Sequence, residues 1–433
     1  MMRRNVLSLL VCLLISGCGY RAPLHKSYIP QVDQPYEGVD GEYQELAALM
    51  TKDTGMEPRT GNTVALLPDG QQKWLILKQD LEGANSSIYI DNYRFCADSA
   101  GFIVADILRE RSLKGVDVRI ILDKPANTEE HLRELSTLEE DGVELDLFRF
   151  PVMMLDYVWP KHATHRDHRK IVLVDGKTGY LGGRNIQDEY FFDWRDADIR
   201  ITGPAVADMA AVYMENQMRV APELDSIEVA DNLELAARGD VVPELEQFSD
   251  VTVQIVSDSP TDKALPMRNC FEWAILNAKE YFWFYNPYTP PPFSTIKALK
   301  DAASRGVDVR WIVPAINDVA PEKWMGESMY RDLLQAGIRI WEWQEHVLHA
   351  KQFMTDDALT AIGSVNMDNL SFFLNYEVEA LVYDEAVTRH ASEQFLAELE
   401  QNCIEITLED VRRWNIFRIF RNWFTRTFGG PLG

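Results

Sequence analysis

The sequence predicts an α/β protein built from two tandem copies of one folding unit, and three observations support this. First, a polar pattern that begins at His168 recurs at His349, 181 residues later. Second, the pentapeptide Gly-Val-Asp-Val-Arg occurs twice, starting at Gly115 and at Gly306. Third, strand and helix patterns alternate in both halves, which is typical of a parallel sheet covered by helices. With 433 residues, 46% of them hydrophobic, each copy is large enough to bury a core.

Strand and helix patterns alternate through the first half from Glu42 onwards. The predicted elements are a helix from Glu42 to Met50, a strand from Thr63 to Leu67, a helix from Lys73 to Ala84, a strand from Ile88 to Asp91, a helix from Ala100 to Leu113 and a strand from Val116 to Leu122. The helix from Ala100 has apolar residues at helical spacing, and Gly115 follows its end.

The second half repeats this order of elements. It predicts a strand from Tyr281 to Phe284, a helix from Ser294 to Ser304 and a strand from Gly306 to Val313. The first half has ten additional residues between its Gly-Val-Asp-Val-Arg strand and its histidine pattern. An apolar segment, 151–160, lies in that interval, and it predicts either a rim that meets lipid or a loop packed on the core.

The repeated polar pattern reads H-x-K-x4-D-x6-G-G-x-N in the first copy, and serine replaces the second glycine in the second copy. Its polar members are His168, Lys170, Asp175 and Asn185 in the first copy, and His349, Lys351, Asp356, Ser364 and Asn366 in the second. Histidine, lysine and asparagine are poor core residues unless paired, so packing does not explain two matched copies. Because alternate residues of a strand share a face, each histidine points the same way as the lysine two positions later. The two copies therefore predict two halves of one active site.

Two such halves suit an in-line displacement at a phosphodiester. One neutral histidine attacks phosphorus and forms a phosphohistidine, and the other histidine, protonated, donates to the leaving alkoxide. Lys170 and Lys351 stabilise charge on the non-bridging oxygens and take the role of a metal ion, so neither a metal nor a cofactor is expected. Water as the incoming group gives hydrolysis, and an alcohol gives transfer.

Other motif residues are assigned by their chemistry. Asn185, Asn366 and Ser364 are expected in the phosphate site, where the neighbouring glycines let an anionic oxygen approach the backbone. Asp175 and Asp356 belong to the catalytic motif but fall at turns. We interpret them as structural residues that fix the turn and bond its amides.

A metal site is an alternative use of the histidines. His162, His165 and His168 recur every third residue, and His346 lies three residues before His349. No nearby carboxylate or cysteine has a convincing ligand spacing, and none of the five cysteines forms a CxxC motif. The net charge of −25 would repel nucleic acid phosphates, so no nucleic acid partner is expected.

The N-terminus predicts an exported, lipid-anchored protein. Arg3 and Arg4 precede an apolar run, residues 6–15, that is too short to span a bilayer comfortably. Small residues then precede Cys18, as in bacterial lipoprotein signals whose cysteine is acylated. In such signals Gly19, in place of aspartate, favours the outer membrane facing the periplasm. The alternative is an ordinary signal peptide with an incidental cysteine.

The C-terminal stretch, residues 411–433, differs from the rest of this acidic chain. It contains five arginines and no acidic residue, interleaved with aromatic and aliphatic side chains. This composition predicts a basic amphipathic helix in contact with a membrane. The alternative is a terminal helix packed on the body with its arginines paired.

These patterns divide the chain into six segments. They are a signal peptide (1–17), a tether (18–42), a first α/β unit (43–221), an acidic linker (222–250), a second α/β unit (251–405) and the basic tail (406–433).

The duplicated H-x-K-x4-D pattern resembles the signature of the phospholipase D superfamily. The segment from Gly363 to Glu377 is similar, almost throughout, to the corresponding segment of bacterial cardiolipin synthases. The resemblance covers roughly residues 75–400. It implies two tandem α/β/α sandwich units with the active site at their interface. It also implies a membrane-associated phosphatidyltransferase that acts through a phosphohistidine, with a phospholipid substrate such as phosphatidylglycerol.

The same resemblance implies roles for individual residues. His168 is expected to be the nucleophile, and His349 the general acid and base. Acidic residues downstream orient the histidines: Asp196 lies 28 residues after His168, and Glu377 lies 28 residues after His349. A hydrolytic phospholipase D is the alternative function. A phosphodiesterase or nuclease and a non-enzymatic lipid-binding envelope protein are less favoured.

Overall fold

The computed structural model describes residues 24, 28–32, 34–148, 165–220, 245–261, 264–288 and 290–428. The predicted signal peptide, Cys18, His162, the apolar segment 151–160 and most of the acidic linker lie outside these residues.

The strands form one mixed sheet of 15 strands. Their bounds are β1 (Arg59–Leu67), β2 (Ser87–Asn92), β3 (Asp117–Asp123), β4 (Glu144–Phe148), β5 (Lys170–Val174), β6 (Thr178–Gly182), β7 (Asp198–Thr202), β8 (Phe248–Asp258), β9 (Tyr281–Tyr285), β10 (Asp308–Pro314), β11 (Arg339–Trp343), β12 (Gln352–Thr355), β13 (Leu359–Gly363), β14 (Glu377–Tyr383) and β15 (Cys403–Ile406).

The helices connect these strands and cover the sheet. Their bounds are α1 (Tyr43–Thr54), α2 (Gly70–Gly83), α3 (Ser99–Leu113), α4 (Glu129–Ser136), α5 (Asp188–Phe192), α6 (Ala205–Val220), α7 (Pro266–Asn277), α8 (Phe293–Ser304), α9 (Ala320–Glu327), α10 (Tyr330–Gln335), α11 (Asn369–Phe373), α12 (Glu385–Asn402), α13 (Leu408–Arg412) and α14 (Ile416–Phe428). Short 3-10 turns span Lys124–Ala126 and Thr137–Asp141. No helix within the described ranges is long and apolar enough to cross a membrane.

The strand order confirms the predicted duplication. The first repeat is ordered β4-β3-β2-β5-β6-β7-β1, and the second is ordered β11-β10-β9-β12-β13-β14-β8, with β15 added beside β11. The repeats join where β1 and β8 pair antiparallel at the centre of the sheet. The expected tandem α/β/α units are therefore present, but they share one continuous sheet.

The expectation of a parallel sheet is only partly correct. Strands β2, β3 and β4 pair in parallel, and so do β9, β10 and β11. The strands that follow each histidine, β5 and β12, instead form antiparallel hairpins with β6 and β13. A short turn after each motif aspartate closes these hairpins, and so short a connection permits only antiparallel pairing.

Three buried clusters hold the helices on the sheet. One contains side chains of α2 and α3 and belongs to the first repeat. A second contains α7, α8 and α10 and belongs to the second repeat. The third lies under α6 and α12 and includes strand residues of both repeats, so it unites the halves.

Helix α1 packs in the second-repeat cluster, although chain order assigns it to the predicted first unit, 43–221. The ring of Tyr43 lies 5.6 Å from that of Trp273 on α7. The side-chain amide of Gln254 on β8 donates to the backbone oxygens of Ala47, at 3.2 Å, and Met56, at 2.8 Å. The sequence boundary and the packing boundary therefore differ at this helix.

Candidate active site

Backbone hydrogen bonds between the repeats position both motif histidines. The N–H of His168 donates to the carbonyl oxygen of Tyr376 at 3.0 Å, and the N–H of His349 donates to that of Arg195 at 2.7 Å. Tyr376 directly precedes Glu377, and Arg195 directly precedes Asp196. Each bridge therefore delivers an acidic residue of one repeat to the histidine of the other.

The histidine–carboxylate pairs are exchanged between the repeats. Nδ1 of His168 lies 3.0 Å from both carboxylate oxygens of Glu377, and Nδ1 of His349 lies 2.7 Å from Oδ2 of Asp196. The matched spacing in the sequence associated each acid with the histidine of its own repeat, and that pairing is wrong. It is wrong because the backbone bridges join the start of β5 to the loop before β14, and the start of β12 to the loop before β7. Neither of these two histidine–carboxylate pairs, called the crossed dyads below, can form within a single repeat.

Three side chains fix the carboxylate of Glu377, which is fully buried. The hydroxyls of Ser364 and Ser371 donate to it at 2.5 and 2.6 Å, and the amide of Asn375 donates at 3.3 Å. Ser364 was expected to bind phosphate, but its hydroxyl is directed at Glu377. Ser371 and Asn375 lie within the segment that resembles cardiolipin synthases. Their spacing in the sequence did not indicate that they would bind Glu377. Together they hold the acid that orients His168.

A backbone amide and a buried arginine fix Asp196, the acid that orients His349. The N–H of Ala197 donates to Oδ1 of Asp196 at 2.7 Å, and the guanidinium of the buried Arg184 donates to the Asp196 carbonyl oxygen at 3.0 Å. Arg184 also pairs with Asp198, and Lys73 lies 2.5 Å from the same carboxylate. Sequence reasoning missed Arg184 and Lys73, because the two meet only through Asp198 on β7, and that contact depends on the fold.

The motif glycines make room for these carboxylates rather than for a substrate oxygen. A Cβ added at Gly183 would lie closer than 3.0 Å to Oδ1 of Asp196, and one at Gly182 would lie equally close to Oδ1 of Asp198. In the second repeat, a Cβ at Gly363 would collide in the same way with a carboxylate oxygen of Glu379. The expected close approach of an anionic oxygen is therefore made by the protein's own side chains.

We expect Gly183→Ala to reduce turnover on the order of 100-fold, because the new methyl group displaces Asp196 and with it His349. Gly83→Ala is the matched control, since a Cβ there meets nothing within 4 Å. Both variants would be assayed for phosphodiester turnover and for thermal unfolding. Equal turnover in the two variants would show that Asp196 tolerates displacement.

The two lysines lie against the histidines and are buried. Nζ of Lys170 donates to the carbonyl oxygen of His168 at 2.5 Å. Nζ of Lys351 lies 2.8 Å from Nδ1 and 3.1 Å from Nε2 of His349. Each lysine thus contacts the histidine two positions before it, as the strand register predicted, but Lys351 meets the imidazole of His349 whereas Lys170 meets the backbone of His168.

Two tyrosine rings line the site at equivalent positions of the two repeats. The ring of Tyr93, just after β2, lies 4.9 Å from that of His168, and the ring of Tyr288, shortly after β9, lies 5.6 Å from that of His349. The hydroxyl of Tyr288 donates to Asp318 at 2.9 Å. Neither tyrosine belongs to the repeated motif, so the motif spacing does not predict their position beside the histidines.

Burial lowers the pKa of each basic group, and repulsion by a neighbouring lysine contributes at His168, His349 and Lys170. Burial is the main cause in all four cases, and the neighbouring lysine adds to it at each histidine. The pKa of His349 falls to about 4, that of Lys170 to about 7 and that of Lys351 to about 8, while that of His168 is also lowered. Both imidazoles are therefore neutral at neutral pH, and a neutral imidazole is the nucleophilic form.

The two orienting acids remain ionised. Burial acts to raise the pKa of Glu377, but His168 and Lys170 outweigh it, and the net pKa is lowered. Burial opposes ionisation of Asp196 in the same way, but His349 and Lys351 hold its pKa well below the usual value. Each acid can thus accept the Nδ1 proton of its histidine and leave Nε2 for chemistry.

The two motif asparagines are buried in matching environments. In the part of the chain that the structure describes, Oδ1 of Asn185 and Oδ1 of Asn366 are buried without a hydrogen-bonding partner. An unpaired buried amide group is costly, so a matched pair at one site favours polar atoms of a ligand there.

The motif aspartates have a structural role, in which they hold neighbouring strands, rather than a catalytic role. Asp175 and Asp356 adopt left-handed conformations, with φ of 54° and 53°. The carboxylate of Asp175 accepts from the backbone of residues 85–87, and that of Asp356 from the backbone of residues 279–281, at 2.7–3.0 Å. Asp175 directly follows β5, whose five residues begin at Lys170. Asp175 therefore lies roughly 16 Å along the strand from Lys170. Asp175 and Asp356 fix the turn, as expected. The backbone amides that their carboxylates bind, however, lie in the segments that lead into β2 and β9.

His165 is committed elsewhere: its Nδ1 lies 2.6 Å from the carbonyl oxygen of Leu374. This contact leads into the Asn375–Glu377 segment beside His168. His165 therefore contributes to the bridge between the repeats.

A duplicated α/β unit with two histidine–lysine pairs joined across its repeats defines an enzyme of the phospholipase D superfamily. Residues 77–218 and 273–399 match the family model described as "Cardiolipin synthase, PLD-like domain". The chain belongs to this family, and it is a phosphatidyltransferase of the phospholipase D superfamily.

Named relatives agree with this assignment. The chain is 28% identical over 389 residues to cardiolipin synthase 2 of Staphylococcus epidermidis, covering 88% of this chain and 76% of the relative. It is 30% identical over 367 residues to the cardiolipin synthase of Oceanobacillus iheyensis, covering 83% and 74%. Among solved structures, the phosphatidylserine synthase of Haemophilus influenzae superposes with a TM-score of 0.64 at 15% identity, covering 84% of this chain and 93% of that one. This last likeness shows the shared fold.

Proposed function

We propose that this enzyme makes cardiolipin from two molecules of phosphatidylglycerol. In the first step Nε2 of His168 bonds to phosphorus, and the phosphorus–oxygen bond to the head-group glycerol breaks. In the second step a glycerol hydroxyl of another phosphatidylglycerol attacks phosphorus and the phosphorus–nitrogen bond breaks. The observation that carries the proposal is the pair of crossed dyads, in which each repeat supplies the acid for the other's histidine.

The environments of the histidines favour His168 as the nucleophile. Among the described residues, Nε2 of His168 has no hydrogen-bonding partner, whereas Nε2 of His349 lies 3.1 Å from Nζ of Lys351. His168 is also the more accessible side chain, at 9% exposed against 2% for His349. An unengaged nitrogen on the more accessible of the two imidazoles suits attack on phosphorus.

His349 then acts as the proton carrier. Burial and Lys351 lower the pKa of His349 to about 4. The negative charge of a bound phosphodiester opposes this shift and favours the imidazolium. Protonated His349 donates to the departing glycerol oxygen, and neutral His349 then accepts the proton of the incoming hydroxyl.

Lys170, Lys351, Asn185 and Asn366 would surround the non-bridging oxygens. The ammonium groups offset the charge that develops on those oxygens, in a site from which bulk water is largely excluded. An amide N–H can donate to a phosphoryl oxygen, and rotation of either amide would break no hydrogen bond at its Oδ1 atom, which is unpaired among the described residues.

Product analysis tests the transfer. Purified enzyme would be incubated with vesicles of phosphatidylglycerol, and the lipids measured by mass spectrometry. Cardiolipin and free glycerol in equal amounts are expected. Phosphatidic acid without cardiolipin would show that water is the acceptor and that the enzyme is a hydrolase.

The pH profile should fall on the alkaline side between about pH 7 and 8, where Lys170 and Lys351 titrate. Their pKa values are lowered, so their positive charge is complete only below this range and is lost as the pH rises through it. The quantity to measure is kcat/KM, which reports free-enzyme ionisations, for a phosphatidyl substrate that carries p-nitrophenol as its head group, because that leaving group needs no proton from His349. A profile that stays flat to pH 9 would contradict lysine charge as the phosphate-binding element.

The enzyme's location belongs to the same proposal. Acylation of Cys18 would tether it to a bilayer that holds its substrate, at the outer membrane facing the periplasm. Labelling of the wild type with radioactive palmitate in cells, and its loss in Cys18→Ser, tests the anchor. Equal labelling of both chains would refute it.

A further inference from the structure

Helix α14 faces the opposite way from an ordinary amphipathic helix of a globular protein. Five of its six polar side chains, at 418, 421, 422, 425 and 426, lie within one half of the helical circumference at 100° per residue. In a globular protein the apolar stripe packs on the core and the polar face meets water. Here the contacts with the body are made by the polar face.

One buried acid holds that polar face. Glu327, at the end of α9 and 3% exposed, accepts from Arg418 at 2.8 Å, from Arg421 at 3.0 Å and from Asn422 at 2.9 Å. The guanidinium of Arg421 also lies 4.7 Å from the ring of Trp324. These contacts fix the rotation of α14 about its own axis. The predicted alternative of paired arginines is thus correct for Arg418 and Arg421, yet the apolar face is not buried by it.

The apolar face of α14 is exposed. Phe417 is 82% exposed and Phe420 is 58% exposed. Further exposed apolar side chains on the helix are Ile416, Ile419, Trp423 and Phe424. Contiguous exposed apolar surface of this kind marks an interaction site.

We propose that α14 is an interfacial helix that lays this apolar face into a lipid bilayer rich in anionic phospholipid. Its composition fits: aromatic and aliphatic side chains on one face, with three arginines and no acidic residue along the helix. Arg412 and Arg413 immediately precede it.

The charge distribution favours a lipid bilayer as the partner that covers the apolar face of α14. A protein of net charge −25 is repelled by an anionic bilayer unless a locally basic segment faces it. Arg418 and Arg421 are held on the body side by Glu327, so the charges available to lipid include those of the exposed Arg412 and Arg426, and the apolar side chains point outward from Glu327. The inference rests on the proposed function in one respect: a phosphatidyl substrate is presented by a bilayer.

The test compares two double variants of the full chain, both carrying Cys18→Ser to remove any acyl anchor. One is Phe417→Glu with Phe420→Glu; the control is Phe102→Glu with Leu113→Glu, on α3, where the side chains are 49% and 67% exposed. Binding would be measured by sedimentation with vesicles of phosphatidylethanolamine and phosphatidylglycerol. We expect the α14 variant to bind at least tenfold more weakly and the control to bind like the parent.

Two further measurements distinguish membrane binding from damage to the active site and from self-association. Hydrolysis of a soluble p-nitrophenyl phosphodiester should be equal in the parent and both variants, which shows an intact active site. Equal vesicle binding by both variants would overturn the inference. So would a parent dimer, seen by light scattering, that the α14 variant converts to a monomer without loss of vesicle binding. If the α14 variant loses vesicle binding while the parent makes no cardiolipin, the membrane helix stands and the transferase proposal fails.

Discussion

Replacement of His168 by alanine is expected to lower turnover of phosphatidylglycerol by on the order of 10⁴-fold or more, since it removes the attacking nitrogen. His168→Asn, which keeps a polar side chain of similar size, should be equally inactive. The measurement is cardiolipin formed per enzyme per unit time, with thermal unfolding recorded for each variant.

His390→Ala is the matched control for this substitution. His390 is also paired with a carboxylate, its Nδ1 lying 3.3 Å from Glu246, but it lies on α12 away from the site. It should retain wild-type turnover. If His168→Asn kept more than a hundredth of the activity while folded, the nucleophile would have to be sought elsewhere, with His349 the first candidate.

The site's two halves could be predicted from the sequence because the motif is local. Within each copy the histidine and lysine are two residues apart, so strand geometry alone places them on one face. The turn role of Asp175 could be inferred in the same way. The duplication could be predicted from the matched spacing within the two copies of the motif, and the symmetric strand order confirms it.

The exchange of Asp196 and Glu377 between the histidines could not be predicted in this way. It depends on two backbone bridges between segments far apart in the chain, such as that from His168 to Tyr376. Hydrogen bonding of that kind leaves no periodicity and no spacing in a sequence. Tyr93 was missed for the same reason, since its role comes from its position at the end of β2.

The tail shows another limit of sequence patterns. Helical periodicity separates an apolar face from a polar one, but it does not say which face meets the body. That is decided by Glu327, an acidic residue 91 positions before Arg418. The pairing of Arg418 and Arg421 agrees with one interpretation of the tail, while the contact with a membrane stays a proposal.

Replacement of His349 by alanine should separate the two chemical steps. With a phosphatidyl substrate that carries p-nitrophenol as its head group, the leaving group needs no proton, so attack by His168 can still proceed. The second step still needs a base to deprotonate the incoming hydroxyl, and without His349 it should slow by about 10²–10⁴-fold. We expect one equivalent of p-nitrophenolate in a rapid burst, followed by very slow turnover.

The trapped enzyme should carry the phosphatidyl group on His168, detected by mass spectrometry of the peptide that contains it and by release in acid. The variant that lacks both histidines should show neither burst nor label. A label on the single variant His168→Ala, located at His349, would reverse the two assignments. A His349→Ala enzyme that turns over steadily, with no burst and no label, would exclude the covalent route. The crossed dyads make the first outcome the expected one, because Glu377 continues to hold Nδ1 of His168 when His349 and its contact with Asp196 are gone.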